Sequence, residues 1–279
     1  MGVPRPLLGR RGPGQAGTEA ANTYSEPFLN LPEPDPTMRL KALLTCAAVL
    51  AAAFPAASHA DVAFNASLTS DYRYRGISQT NLKPALQGGV DYSAGGFYLG
   101  AWASTIKWIH HFNGNSDIEL DLYGGYKGEL AKGLGYDVGV LTYQYPNNNL
   151  SPNANTTELY GALSFGPATA KYSHAVTNTF GNPDSKNSWY LDLSASFELV
   201  DGWTLAPHIG HQKFTGPVGS VASYTDYSLT LSKDFNGLVP SLALVGTDAN
   251  QAFYVPGPAA GSSKFLGKSG LVLAVKYNF

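Results

Sequence analysis

The sequence predicts an all-β fold, an antiparallel up-and-down transmembrane β-barrel of about twelve strands. Three observations predict it. Apolar and polar residues alternate with period two through nearly all of the chain after Asp61. Short and long connections alternate between those segments. The final segment places Leu271, Leu273, Val275, Tyr277 and Phe279 at every second position. Successive strand side chains point to opposite faces, so each segment has one apolar and one polar side. A barrel turns the apolar side to lipid and the polar side inward.

The segments ahead of the barrel come first. Residues 38–60 read as a secretory signal peptide: Met38, Arg39 and Lys41 form a basic start, Ala42 to Ala53 an apolar stretch, and Ser58-His59-Ala60 a small-residue cleavage site. The apolar run falls short of the ~20 residues of a spanning helix, and Pro55 interrupts it. Residues 1–37 are rich in Gly, Pro and polar residues without periodicity, and are expected to be a disordered extension ahead of a true start at Met38. The single cysteine, Cys46, lies inside the apolar stretch, so the mature segment from Asp61 carries no thiol, disulfide or Cys-based metal site. Five of the 18 basic and four of the 20 acidic residues precede Asp61, leaving 13 and 16 and a net charge of −3. A nucleic-acid partner would need a basic footprint and is excluded.

Strands are predicted at roughly 62–78, 85–93, 97–108, 116–130, 134–145, 155–165, 168–177, 188–199, 203–213, 223–234, 238–249 and 264–279, with ends good to a few residues. Tight turns join them at Ala94-Gly95-Gly96, Ala131-Lys132-Gly133, Gly166-Pro167, Val200-Asp201-Gly202 and Phe235-Asn236-Gly237. Longer polar loops fall between, at 109–115, 146–154, 178–187, 214–222 and 250–263. Strict alternation of this kind is what short periplasmic turns and long outer loops produce. Tyr92, Phe97, Tyr126, Tyr136, Phe165, Phe197, Trp203 and Phe235 lie beside short turns, and Tyr72, Tyr74, Trp108, Trp189 and Tyr227 near long loops, which predicts two interfacial girdles. The terminal strand, with Tyr277 and Phe279 at its end, has the pattern of an assembly signal read by the outer-membrane assembly machinery.

One stretch carries more than periodicity. Asp71-Tyr72-Arg73-Tyr74-Arg75-Gly76-Ile77-Ser78-Gln79, followed by Pro84-Ala85-Leu86-Gln87-Gly88-Gly89-Val90-Asp91-Tyr92 and Gly96-Phe97-Tyr98-Leu99-Gly100, resembles the N-terminal signature of the TorF family of outer-membrane porins. The resemblance covers 61–279 and implies a porin-like barrel in the bacterial outer membrane. It implies no particular solute.

Catalysis finds little support in the pattern. A lipid-face His–Ser pair would require both side chains on one side of a strand, whereas Ser173 and His174 are adjacent and point apart. His208 and His211 are three residues apart and also face opposite sides. His110-His111 sit in a loop without a completing ligand, so neither a metal nor a cofactor is expected. The lumen charges are more informative. Alternation places Asp71, Arg73, Arg75, Asp117, Glu119, Asp121, Glu158, Asp192, Asp226 and Lys276 on the inner face as pore-lining residues, with acids in excess. Inward carboxylates favour cations in a pore. The expectation is a channel for passive diffusion of small polar or cationic solutes, embedded in outer-membrane lipids. The alternatives are a non-conducting structural or surface-binding barrel and, more remotely, a lipid-modifying barrel enzyme.

Overall fold

The computed structural model describes residues 60–256 and 263–279. The expected extension and all of the expected signal peptide except Ala60 lie outside the described residues.

The strands are β1 (Asp61–Thr69), β2 (Arg73–Tyr74), β3 (Ile77–Ser78), β4 (Ala85–Ala94), β5 (Phe97–Thr105), β6 (Ile118–Ala131), β7 (Leu134–Gln144), β8 (Thr156–Phe165), β9 (Ala168–Ala175), β10 (Trp189–Ala195), β11 (Phe197–Glu198), β12 (Trp203–Lys213), β13 (Tyr224–Lys233), β14 (Leu238–Thr247) and β15 (Gly270–Asn278). β10 and β11 both pair with β12 and form one stave interrupted at Ser196. With β2 and β3 apart from the wall, twelve staves remain. Each pairs antiparallel with its chain neighbours, and β1 pairs with both β4 and β15, which closes the ring. Closure removes the unpaired edges an open sheet would present.

Turn chemistry and face alternation explain why these residues build staves. Gly95-Gly96, Asp201-Gly202 and Asn236-Gly237 each hold two consecutive positive φ values, the twist a two-residue hairpin turn needs. Along the walls, Leu68, Leu86, Leu99, Leu122, Leu163, Leu229, Leu244 and Leu273 are all exposed, while alternate residues such as Ser67, Gln87, Asp121 and Ser228 are partly buried on the inner face. An apolar belt of this kind around a closed sheet has lipid as its natural solvent. Rings flank it: Phe97 meets Tyr126 at 4.6 Å, and Phe279 stacks on Phe64 at 5.8 Å, at the short-turn end. Tyr172, Trp189 and His211 adjoin near the long-loop end.

Three expectations are corrected. The first wall strand ends at Thr69, not near 78, because the chain after it turns into the barrel. The last begins at Gly270, not 264, and Leu266 before it packs inside on that inturned segment. Tyr72, Tyr74 and Trp108 are not girdle residues: Tyr72 and Trp108 are buried, and all three belong to an aromatic cluster with Tyr143 and Tyr145.

Candidate functional site

The site begins where β1 leaves the wall. Thr69 Oγ1 donates to the carbonyl of Asp71 at 3.0 Å, bending the chain inward. The Asp71 carboxylate then gathers the segment, accepting from Ser78 Oγ at 2.6 Å and from Arg73 Nε at 2.5 Å. Between them β2 and β3 pair, Arg73 against Ser78 and Tyr74 against Ile77. Their connection is the two residues Arg75 and Gly76, with φ of 45° and 79°. Two positive φ values in a two-residue loop describe a tight hairpin turn, which suits Gly and strains Arg. A Cβ on Gly76 would lie 2.5 Å from Thr247 Cγ2 and 2.7 Å from Asp226 Cβ, so the tip fits closely against the wall.

This hairpin crosses the lumen. Arg75 Nη1 and Nη2 donate to Glu158 Oε1 and Oε2 at 3.0 and 2.7 Å, and Nη1 also donates to Gln212 Oε1 at 2.5 Å. From β1 the ring runs through β4, β5, β6 and β7 before reaching the β8 that carries Glu158, so the contact spans the barrel. The guanidinium lies between the rings of Tyr190 and Tyr74, at 4.2 and 4.8 Å. Other anchors surround it: Tyr72 OH donates to Glu119 Oε1 on β6 at 2.7 Å, Tyr74 OH to Tyr143 OH on β7 at 2.9 Å, and the Ser78 amide to the Leu266 carbonyl at 3.0 Å. The Arg75 and Glu158 side chains are 7% and 2% exposed, so their ion pair is buried and bidentate, the strong form of such a contact.

Two cavities flank the hairpin. On the short-turn side lies one of about 470 Å³, lined in part by Asp71, Arg73, Arg75, Asp192, His208 and Asp226. There His208 Nε2 stands 2.6 Å from Asp192 Oδ2, and Tyr190 OH donates to Asp226 Oδ2 at 3.0 Å. On the long-loop side lies one of about 520 Å³ whose walls are aromatic side chains interspersed with carboxamides and aliphatic residues. Hairpin residues line both, so the hairpin acts as a septum.

The residues read from the sequence as pore-lining separate into groups. Asp71, Arg73, Arg75, Glu119, Glu158 and Asp226 meet on or around the hairpin, and Asp192 lies just below it. Asp121 shares the inner face of β6 with Glu119, and its Oδ1 is buried without a hydrogen-bond partner among the described residues. Lys276 is exposed on β15, opposite Ser67 and Val239, away from the hairpin. Asp117 stands apart from the hairpin group. It precedes β6, its side chain is 58% exposed, and it pairs with Lys107 Nζ at 2.6 Å and His110 Nε2 at 2.9 Å. Wall strand β5 stops at Thr105 rather than 108, and the helical turn Trp108–Phe112 brings this basic pair to it. Those hydrogen bonds hold the Asp117 carboxyl below the usual carboxylate range. Sequence reading missed Tyr190, His208 and Gln212 as lumen groups, although their parity with Asp192 and Asp226 would have found them.

The profile of a family described as "Bacterial protein of unknown function (Gcw_chp)" matches residues 53–279. The chain belongs to the Gcw_chp family. This Gcw_chp chain is similar in fold to a NanC porin solved in a rhombohedral crystal form, at 12% identity over 78% of this chain and 99% of that one, with a TM-score of 0.48. It is also similar to the COG4313 outer membrane channel from Pseudomonas putida F1, at 14% identity over 81% and 96% with a TM-score of 0.40. A third similarity is to LpxR from Salmonella typhimurium, at 10% identity over 78% and 99% with a TM-score of 0.41. At such identities the likeness concerns the fold alone. No curated protein matches the Gcw_chp chain. Its architecture, a closed antiparallel barrel with an apolar outer belt and a polar interior, is porin-like.

Proposed function

We propose that this protein is a bacterial outer-membrane channel for small polar or cationic solutes, closed by the hairpin of residues 70–84. One observation carries the reading: a cavity of about 470 Å³, with Asp192, His208 and Asp226 among its lining residues, persists inside the barrel directly beneath a segment that is not part of the wall. A barrel built only as a scaffold can pack its interior solid. Arg73 and Arg75 are paired with Asp71 and Glu158, so Asp192 and Asp226 give the cavity below its acidic character, tempered by His208. That field favours cations. The TorF-like signature supports the same reading, since its Asp71 to Gln79 block is the hairpin itself. Lipids of the outer membrane meet the apolar belt, the assembly machinery reads Tyr277 and Phe279, and no catalytic step is assigned.

The Arg75–Glu158 pair favours a second reading, a barrel that does not conduct and works through its long loops. Planar-bilayer recordings separate the two. The wild-type protein should open rarely, and a variant with 73–78 replaced by a Gly-Ser linker should conduct steadily with a cation-selective reversal potential at low salt. Selectivity should fade toward 1 M salt, where charges are screened within ~3 Å. A linker variant that keeps heat-modifiable gel migration yet stays silent overturns the channel reading.

A further inference from the structure

The cavity on the long-loop side differs in chemistry from the lumen below. It holds about 520 Å³, within the range of small-molecule sites, and opens between the long loops. Trp108, Phe112, Phe180, Phe214, Phe253 and Tyr254 converge on it from separate segments of the chain. Among the described residues lining it there is no Lys, Arg, Asp or Glu. His111 is the one titratable imidazole there, and burial together with neighbouring His110 holds it below the ordinary imidazole range, so it adds no charge at neutral pH. Carboxamides line it as well, among them Asn113 and Asn149. Phe180 adds an independent sign. It holds φ of 52°, a conformation unusual for a bulky residue, with its amide tied to Thr156 Oγ1 at 2.8 Å. Backbone strain of this kind collects at binding sites, where a ring must be held in one place.

We propose that this vestibule binds a neutral, ring-bearing small molecule whose ring lies among these aromatic side chains and whose polar groups meet the carboxamides. Preference for a neutral ligand follows from the walls, since a charged ligand held there would lose hydration without gaining a counter-charge. The ligand would rest on the hairpin, because Tyr74, Ile77 and Gln79 form part of the same cavity. Gln212 lines it too and accepts a hydrogen bond from Arg75, so an occupant touches a partner of the residue that holds the septum across the barrel. The inference goes beyond the channel reading and stands without it, since binding needs no conduction.

Saturation-transfer difference NMR on the full-length protein in lipid nanodiscs provides the test, with 4-methylumbelliferyl β-glucoside as a neutral, water-soluble probe. Ring protons should saturate more than sugar protons, above the level of empty nanodiscs. Phe112→Asp and Phe253→Asp, made singly, should weaken binding by about tenfold or more, as expected when a charge enters an apolar contact. Phe112 is 61% exposed, so its variant should keep heat-modifiable migration. A sulfonated coumarin of similar size should give much less saturation. No saturation above empty nanodiscs, equal signal from folded variants, or equal signal from the sulfonated analogue would each overturn the proposal. A negative result here leaves the conductance experiment, and the reading it tests, untouched.

Discussion

Two ion pairs in this molecule show how burial sets the worth of a charge. Arg75 and Glu158 form a nearly inaccessible bidentate pair, and removing one partner strands the other in a low-dielectric place. Breaking a buried pair costs about 3–5 kcal/mol, whereas exposed pairs contribute about 0–1 kcal/mol. Lys107 and Asp117 are 57% and 58% exposed and belong to the second class. Glu158→Gln should therefore lower the urea midpoint of the lipid-reconstituted barrel strongly, and Asp117→Asn should leave it nearly unmoved. Similar midpoints for the two variants would show that water reaches Arg75 freely. The Asp117 carboxyl is depressed, so the small contribution of its pairing is present above the ordinary carboxylate range and lost as pH falls through the depressed value.

Among the elements, the staves were legible and the hairpin was not, for one physical reason. Lipid on one side and water or packed polar groups on the other force a strict period of two, and Leu191, Leu193 and Ala195 against Asp192 and Ser194 display it directly. Residues 70–78 keep the same apparent period, with Tyr72 and Tyr74 against Arg73 and Arg75. Alternation cannot distinguish a strand continuing in the wall from a pair of strands folded into the lumen. Gly76 was the available turn signal, and an Arg beside it at positive φ is not one that composition announces. The terminal stave was legible at its end, where Tyr277 and Phe279 face outward and the Phe279 amide bonds the Phe64 carbonyl at 3.0 Å. Phe279→Asp should slow assembly and leave unfolded protein in the periplasm, visible as loss of heat-modifiable migration. Normal migration and surface labelling would count against an assembly role for that ring.

For the molecule as a whole, the closed barrel and its apolar belt suit the outer membrane, and cleavage of residues 38–60 is the proposal that accounts for export. Membrane-extracted protein should begin Asp61-Val62-Ala63-Phe64 by N-terminal sequencing. An end at Met38, or a lipid on Cys46, would refute cleavage after Ala60.

The closing seam between β1 and β15 also bears on time. Thr69 and Leu273, whose atoms meet there, are 204 residues apart, while nearly every other stave contacts the one just before it. Loop-closure entropy must be met before a contact of that separation gives anything back. Hairpins can therefore form early and locally, but no ring exists until the final residues have arrived. A chain still lacking its last stave has two open edges and an apolar flank, and stays open to edge-to-edge association until the seam closes.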